Sequence, residues 1–351
     1  MRQSIIRGIH KPGDFVGTEQ ELGRTAGISR VSVRRATDQL IREGLIERRP
    51  GKGLFVRRRD LATRLIQIVV PDLAFEQCVQ IARGAQELGA ERGFQVQVYD
   101  AHNRMDREIG FLERLPEAVE GALVLSWHHP RFTETLLKLK QKGTPFILVD
   151  EHSSDIEVSS VTADNYAGGM AVGHALIDMG HRTIGFIGNL SAGTVRARLE
   201  GLRDAIGDRG LPFNRAHVMD LAVQPQEDWA ERIALRTREL LSRPDRPTAV
   251  FYSNDQVAAE GLRTIRAMGI RVPEELSVVG FDNSPLCRWL DPPLASVEQP
   301  SFEMGRAAME MLLDRLQAPP TAKPPAVRQV TLPVKWIPRT SIGAPPKGAN
   351  Q

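Results

Sequence analysis

SSVTADNYAGGMAVGHALIDMGHRTIGFIG, residues 159–188, reads as an apolar strand, a helix over 165–180 and a second apolar strand. The same unit recurs on both sides of it. Apolar strands are LIQIVV (65–70), VQVYD (96–100), ALVLS (122–126), FILVD (146–150), AVFYS (249–253) and LSVVGFD (276–282). Most are separated by helical stretches at 76–92, 131–142, 194–209, 226–242 and 255–268. Strand–helix alternation predicts an α/β fold with parallel sheets and right-handed crossovers.

The strand ends carry the polar residues. Asp72, Asp100, Ser126, Asp150, Asp164, Asn254 with Asp255, and Asp282 sit at or just past a carboxyl end. That is the edge where open α/β sheets bind ligands. An Asp or Asn before a helix equally serves as an N-cap, and both readings stand open for Asp164 and Asp255. Asp282 precedes Asn283-Ser284-Pro285 rather than a long helix, which favours a ligand role.

Upstream, the pattern changes. KPGDFVG (11–17) is a turn cluster, followed by a capping box in which Thr18 stands three residues before Glu21. A short helix to Ala26, a turn at Gly27 and an N-cap at Ser29 give the helix-turn-helix plan, with the second helix available for a major groove. That helix buries Val33, Ala36, Leu40 and Ile41 by spacing and leaves Arg30, Arg34, Arg35 and Ser32 on its other side. Leu45–Glu47 and Leu54–Val56 then form a β-ribbon, with Arg48, Arg49 and Lys52 at its tip. A basic helix beside a basic ribbon is a nucleic-acid footprint, although charges on a single helix are more often a solvated face.

Charge supports the division. The 351 residues carry a net +3, but residues 1–64 hold 15 Lys and Arg against 7 Asp and Glu, and the remainder holds 31 against 36. A basic head on an acidic body implies that the head alone meets a polyanion. The amino terminus lacks the apolar core of a signal peptide and no apolar run reaches the length of a membrane span, so a cytoplasmic protein with no membrane partner is expected. Cys78 and Cys287 are two reduced thiols in this reading. Trp127-His128-His129 lacks a third ligand at metal spacing, and neither Gly185, Gly188 and Gly193 nor Gly51-Lys52-Gly53 makes a phosphate loop. No nucleophile elbow or acid/base pair appears. An enzyme is therefore not expected, and no cofactor or metal is called for.

KPGDFVGTEQELGRTAGISRVSVRRATDQLIREGLIERRPGKGLFV (11–56) resembles the GntR-type winged helix-turn-helix in the order and identity of its motifs. The resemblance implies that Arg30 and Arg34 read bases and phosphates, with Arg35 a phosphate contact, and that Gly53 at the wing tip approaches the minor groove. Ser32, Arg49 and Lys52 join this set. Gly17-Thr18 and Gln20 depart from the Pro-Ser and Arg common in the family. Thr18 can still cap the helix, whereas Gln20 loses a charge and implies an altered base preference. The family's first helix begins earlier than Met1 allows, so a start codon upstream is expected.

VVPDLAF (69–75), VTADNYAGGMAVGHALIDMGHRTIGFIG (161–188), RARLEGLRDAI (196–206), PTAVFYSNDQVAAEGL (247–262), GIRVPEELSVVGFDNSPLCRWLDPPLASVEQP (269–300) and EMGRAAMEMLL (303–313) resemble the LacI-type regulatory domain, which shares the fold of periplasmic sugar-binding proteins. Together the two halves resemble the arrangement of arabinose-repressor-type regulators. The expected organisation is a winged helix-turn-helix at 1–58, a linker at 59–64, and an effector domain at 65–340 ending in a flexible tail, 341–351. The effector domain divides into a first subdomain (65–162 and 296–318) and a second (163–295 and 319–340) joined by three crossover strands.

By that resemblance a small effector binds in the cleft between subdomains, at Phe75, Glu76, Gln77, Arg198, Trp229, Asn254, Asp282 and Gln299. Arg, Asn, Asp and Gln offer forked donors and acceptors that match vicinal hydroxyls, and Trp229 offers a flat face to a sugar ring. Trp127 is a second stacking candidate, with a packed rim aromatic as the alternative. A purine-type effector would call for aromatics where Gln77 and Cys78 stand. The resulting expectation is a homodimeric repressor on a two-fold double-stranded DNA operator, released by a sugar, with the RRRDLATR segment (57–64) adding at most phosphate contacts. The competing readings are a regulator answering a nucleoside, and a sugar-binding or sugar-modifying α/β protein without DNA function.

Overall fold

The structure is a computed structural model that describes residues 4–5, 10, 13–43, 45–56, 64–115, 119–125, 130–151, 156–222, 228–317 and 326–347. The linker at 59–63, Arg57–Arg59, Ser126 and the Trp127-His128-His129 segment lie outside the described residues.

In the head, β1 (Phe15–Gly17), β2 (Ile46–Arg49) and β3 (Gly53–Val56) form an antiparallel sheet in the order β1-β3-β2. Helix α1 (Glu19–Ala26) starts at the capping box: Thr18 Oγ1 accepts from the Glu21 amide at 3.2 Å, and Glu21 Oε2 accepts from the Thr18 amide at 2.8 Å. Gly27 ends α1 with φ 64°, a left-handed conformation that glycine adopts without cost. Ser29 caps α2 (Arg30–Arg42) by accepting from the Ser32 amide at 3.2 Å.

The buried stripe of α2 differs from the expected one. Val33 and Thr37 are buried, Leu40 and Ile41 half-buried, and Ala36 is exposed. Thr37 tolerates the apolar side because its hydroxyl donates to the Arg34 carbonyl at 3.1 Å.

The body holds two parallel sheets. The first is ordered β14-β8-β7-β6-β4-β5, from β4 (Leu65–Val70), β5 (Gln95–Asp100), β6 (Gly121–Val124), β7 (Phe146–Val149), β8 (Ser160–Ala163) and β14 (Gln329–Leu332). Helices α3 (Glu76–Glu91) and α10 (Ser301–Gln317) pack on it, and α4 (Met105–Glu113) and α5 (Pro130–Gln141) lie among the intervening segments. The second sheet is ordered β10-β9-β11-β12, from β9 (Ile184–Gly188), β10 (Val218–Asp220), β11 (Ala249–Tyr252) and β12 (Ser277–Val279). Its helices are α6 (Asn165–Asp178), α7 (Gly193–Asp208), α8 (Trp229–Leu241) and α9 (Asp255–Ala267).

The chain passes between subdomains after β8, after β13 (Ser296–Glu298) and again between β14 and β15 (Lys335–Ile337), which pairs antiparallel with β13. The expected division needs correction at two places. Strand β13 (Ser296–Glu298) belongs to the second subdomain, where Val297 packs with Val279 and Phe281. Residues 329–332 belong with the first sheet, not the second subdomain, because β14 pairs in register with β8 along its edge. The expected flexible tail is also corrected: Ser341 is fully buried, and Ile342 is buried. Ser341 accepts from the Val278 amide and donates its hydroxyl to the Val278 carbonyl, so it extends the edge of β12, and the Gly343 carbonyl meets His181 Nε2 at 2.9 Å.

Two glycines position the cleft. A Cβ on Gly169 would lie 2.1 Å from the Arg198 carbonyl, and one on Gly201 would lie 2.1 Å from the Tyr166 carbonyl. Only with both positions bare can α6 and α7 approach this closely, and that approach carries Arg198 to Asn165 at the start of α6.

Candidate functional site: a basic winged face and an interdomain cleft

The winged head presents Arg30, Ser32, Arg34 and Arg35 exposed along α2, with Gln20 exposed on α1 and Lys52 exposed in the ribbon turn. Thr18 is committed to capping α1. The ribbon arginines are not the free tip that their sequence position suggests. Arg48 Nη2 sits 2.5 Å from Glu19 Oε1 and 2.9 Å from Asp38 Oδ1, tying β2 to both helices. Arg49 pairs with Glu47 at 2.6 Å and lies over the Phe55 ring, 4.5 Å from its centroid. Gly53 has a local reason to be glycine: its φ is 100°, and a Cβ there would lie 2.7 Å from Phe15 Cε2.

In the body, Phe75, Gln77, Arg198 and Asn254 line an inner chamber of about 90 Å³ together with Asp150, Glu151 and Thr194. Phe75 and Asn254 also border an outer, mainly apolar chamber of about 550 Å³, where Trp229, Ile233, Val257 and Leu286 form much of the wall. Asp282 and Gln299 stand behind the inner chamber. Gln299 Nε2 donates to Asp282 Oδ1 at 2.6 Å and to Gln77 Oε1 at 3.2 Å, and Gln77 Nε2 donates to Asp150 Oδ2 at 2.8 Å. Glu76 is the exception: it accepts from Gln80 Nε2 at 2.6 Å and lines neither chamber. Trp127 lies outside the described residues.

Arg198 is the centre of this set. The residue is 3% exposed, and its guanidinium donates to Asn165 Oδ1 at 2.8 Å and to the Ser253 carbonyl and lies 3.7 Å above the Phe281 ring. Burial pulls its pKa down while Asp282, 3.9 Å away, pulls it up; a guanidinium keeps its charge through such a contest. Burial also pushes Asp282 well above the ordinary carboxylate range against the pull of Arg198. Asp282 has φ 106°, held by its amide donating to the Val297 carbonyl at 2.7 Å. Such strain in a non-glycine residue persists where the surroundings over-determine it, often at binding sites.

The two open cap readings divide differently. Asp164 caps α6 by accepting from the Ala167 amide at 2.9 Å. Asn254, not Asp255, caps α9, accepting from the Val257 amide at 2.9 Å. Asp255 is buried and accepts from Ser296 Oγ at 2.6 Å and the Ser284 amide at 2.7 Å, a clamp on the following loop.

Asp150 and Glu151 are the acidic lining residues absent from the effector set expected from sequence. Asp150 ends a strand and was visible as such; nothing at Glu151 distinguishes it from a loop acid. Burial raises the Asp150 pKa to about 6, with Arg198 opposing and Glu151 adding to the rise. Asp150 Oδ1 and Gln299 Oε1 are buried and accept no bond among the described residues. Two acceptors facing each other's network beside a chamber suit a ligand that brings hydroxyl or amine donors.

Residues 1–56 match the gntR family of bacterial regulatory proteins, and residues 174–342 match the periplasmic binding protein-like domain. The arabinose metabolism transcriptional repressor of Halalkalibacterium halodurans is 29% identical over 336 residues, covering 90% of this chain and 87% of that protein. The transcriptional repressor CytR of Escherichia coli is 29% identical over 268 residues, 76% of each chain. Among solved structures, a LacI family regulator from Enterococcus faecium with bound ribose is 27% identical, with TM-score 0.66 over 80% of this chain and 99% of that one. A complex of the transcriptional regulator CelR with cellobiose is 27% identical, with TM-score 0.69 over 93% of this chain and 99% of the other. Among the described residues no helix is long and apolar enough to cross a membrane. The chain thus carries a gntR-type DNA-binding head and a periplasmic-binding-protein-like domain of LacI-type fold, and the relatives matched over most of its length are transcriptional repressors.

Proposed function

We propose that the protein is a dimeric repressor that binds a two-fold DNA operator through α2 and the ribbon and leaves it when a small carbohydrate fills the interdomain cleft. The carrying observation is the network of Arg198, Asp282, Gln299, Gln77 and Asp150, which puts forked acceptors and donors at the inner chamber, while Trp229 lines the outer chamber that shares Phe75 and Asn254 with it. Vicinal hydroxyls each donate and accept, so they satisfy such a set, and the apolar face of a sugar ring stacks on an indole. The ribose and cellobiose held by the two related regulators support the same ligand class.

On the DNA side, the exposed Arg30 and Arg34 supply bidentate base contacts and phosphate neutralisation, each good guanine contact discriminating by about 1–3 kcal/mol. Sugar-driven closure of the cleft alters the relation of the two heads in the dimer, with a coupling of about 1–3 kcal/mol, or roughly 5–150-fold in operator affinity.

Gel shifts on DNA upstream of the protein's own gene, with and without arabinose, ribose and cellobiose, test this reading. Wild type should bind and be released by one of them. Arg198→Met should still bind but no longer respond. Release of Arg198→Met by the same sugar at the same concentration would refute the site, and the absence of any shifted band would refute operator binding.

A further inference from the structure

Helix α7 begins at the cleft without a cap of its own. Its N-cap residue is Ala192, which offers no side-chain acceptor, although the first amides of a helix need partners from outside it. One of those partners comes from across the cleft. The Gly193 amide donates to Glu151 Oε2 at 3.3 Å, and Glu151 follows β7 in the opposite subdomain. Glu151 is 7% exposed, and a Cβ on Gly193 would lie 2.7 Å from its Oε1, so the carboxylate rests directly against the helix start. A helix N-terminus favours negative charge, and here that charge is built in.

The rest of the inner chamber adds to the same sign. Asp150 lines it beside Glu151, whereas Arg198 is the one cation among its described lining residues. Two of the Arg198 donors are already taken, by Asn165 and the Ser253 carbonyl. A phosphate or carboxylate entering the chamber would meet the Asp150 and Glu151 carboxylates and would have to displace Glu151 from the Gly193 amide. A neutral polyol would donate its hydroxyls to the same oxygens.

We infer that Glu151 is a cross-cleft cap of α7 that sets the charge class of the effector, so that the cleft takes an uncharged, hydroxyl-rich molecule and rejects phosphorylated or acidic ones. This rests on reading the cleft as the effector site.

The test uses the full-length protein in thermal-shift and calorimetric titrations with arabinose, ribose, cellobiose, ribose 5-phosphate, glucose 6-phosphate and inorganic phosphate. Wild type should show no shift with the three phosphate compounds. Glu151→Gln removes the charge at constant shape, and Glu151→Ala vacates the amide. Both should gain phosphate binding, with affinity for inorganic phosphate rising at least about tenfold.

A wild type that binds ribose 5-phosphate more tightly than ribose would overturn the inference. So would folded Gln and Ala variants that gain no phosphate binding. If no neutral sugar binds wild type while both variants gain phosphate, the carbohydrate reading fails and the cap stands. If a neutral sugar binds wild type and neither variant gains phosphate, the cap fails and the carbohydrate reading stands.

Discussion

Replacing Asp150 by Asn should stabilise the protein at neutral pH and leave it unchanged in acid. Asp150 has one oxygen bound to Gln77 Nε2 at 2.8 Å and the other buried without an acceptor's partner among the described residues. Burial lifts its pKa from the ordinary 3.8 to about 6. Because the folded form holds its proton to higher pH than the unfolded form, stability is full below about pH 4 and falls as pH rises through 6. At about 1.4 kcal/mol per pH unit, the full loss is about 3 kcal/mol. Asp150 is only half-buried, and solvent screening reduces this to about 1–3 kcal/mol. Asn keeps the bond to Gln77 and removes the titration. Differential scanning fluorimetry of both proteins from pH 4 to pH 8 reads the difference. The melting curves should coincide near pH 4 and separate by about 3–8 °C above pH 7, with Asn higher. Parallel pH profiles for the two proteins would refute the argument, since they would mean that Asp150 ionises as readily in the folded chain as in the unfolded one.

The head gives two contrasts. Arg34→Ala should weaken operator binding and reduce the slope of log affinity against log salt by about 1, read by fluorescence anisotropy across salt concentrations. Arg48→Ala should leave that slope intact, because its guanidinium is occupied by Glu19 and Asp38, and should cost the head about 1 kcal/mol or less in denaturant melts. Gly53→Ala should destabilise the ribbon by about 1–3 kcal/mol, seen as faster amide exchange in β1 and β3, since φ 100° and the contact with Phe15 both oppose a side chain. Truncation after residue 340 should lower the melting temperature of the body by removing Ser341 from its bonds to Val278 and Ala295.

Much of the fold was legible because the patterns that encode it are local. The capping box at Thr18 and Glu21, the turn at Gly27 and the N-cap at Ser29 all appear as read, since each depends on residues no more than four apart. The strand–helix alternation of the body likewise follows from short apolar runs. The misreadings have a common origin in partners remote in sequence or outside the apolar code. Thr37 replaces Ala36 in the buried stripe because a hydroxyl satisfied by the Arg34 carbonyl counts as apolar once buried. The tail at 341–343 reads as polar and short, yet its backbone completes the edge of β12.

The site divides along the same line. Arg198, Asn254, Asp282 and Gln299 came from a resemblance that reaches across the chain, and they do converge. Within the network, however, Gln77 and Gln299 are 222 residues apart, and no local pattern pairs them. Glu151 is harder still. Its meaning depends on the absence of a side-chain acceptor at Ala192, in the other subdomain, and an uncapped helix start is a vacancy that sequence does not display as a demand. The same carboxylate therefore serves two needs at once, closing the amide of α7 and setting the sign of the chamber's potential. A substitution there changes both together, whereas Asp150, one residue away and bound to Gln77 within its own subdomain, changes only the charge. Comparing the two neighbours separates what the cleft gains from being closed from what it gains from being acidic.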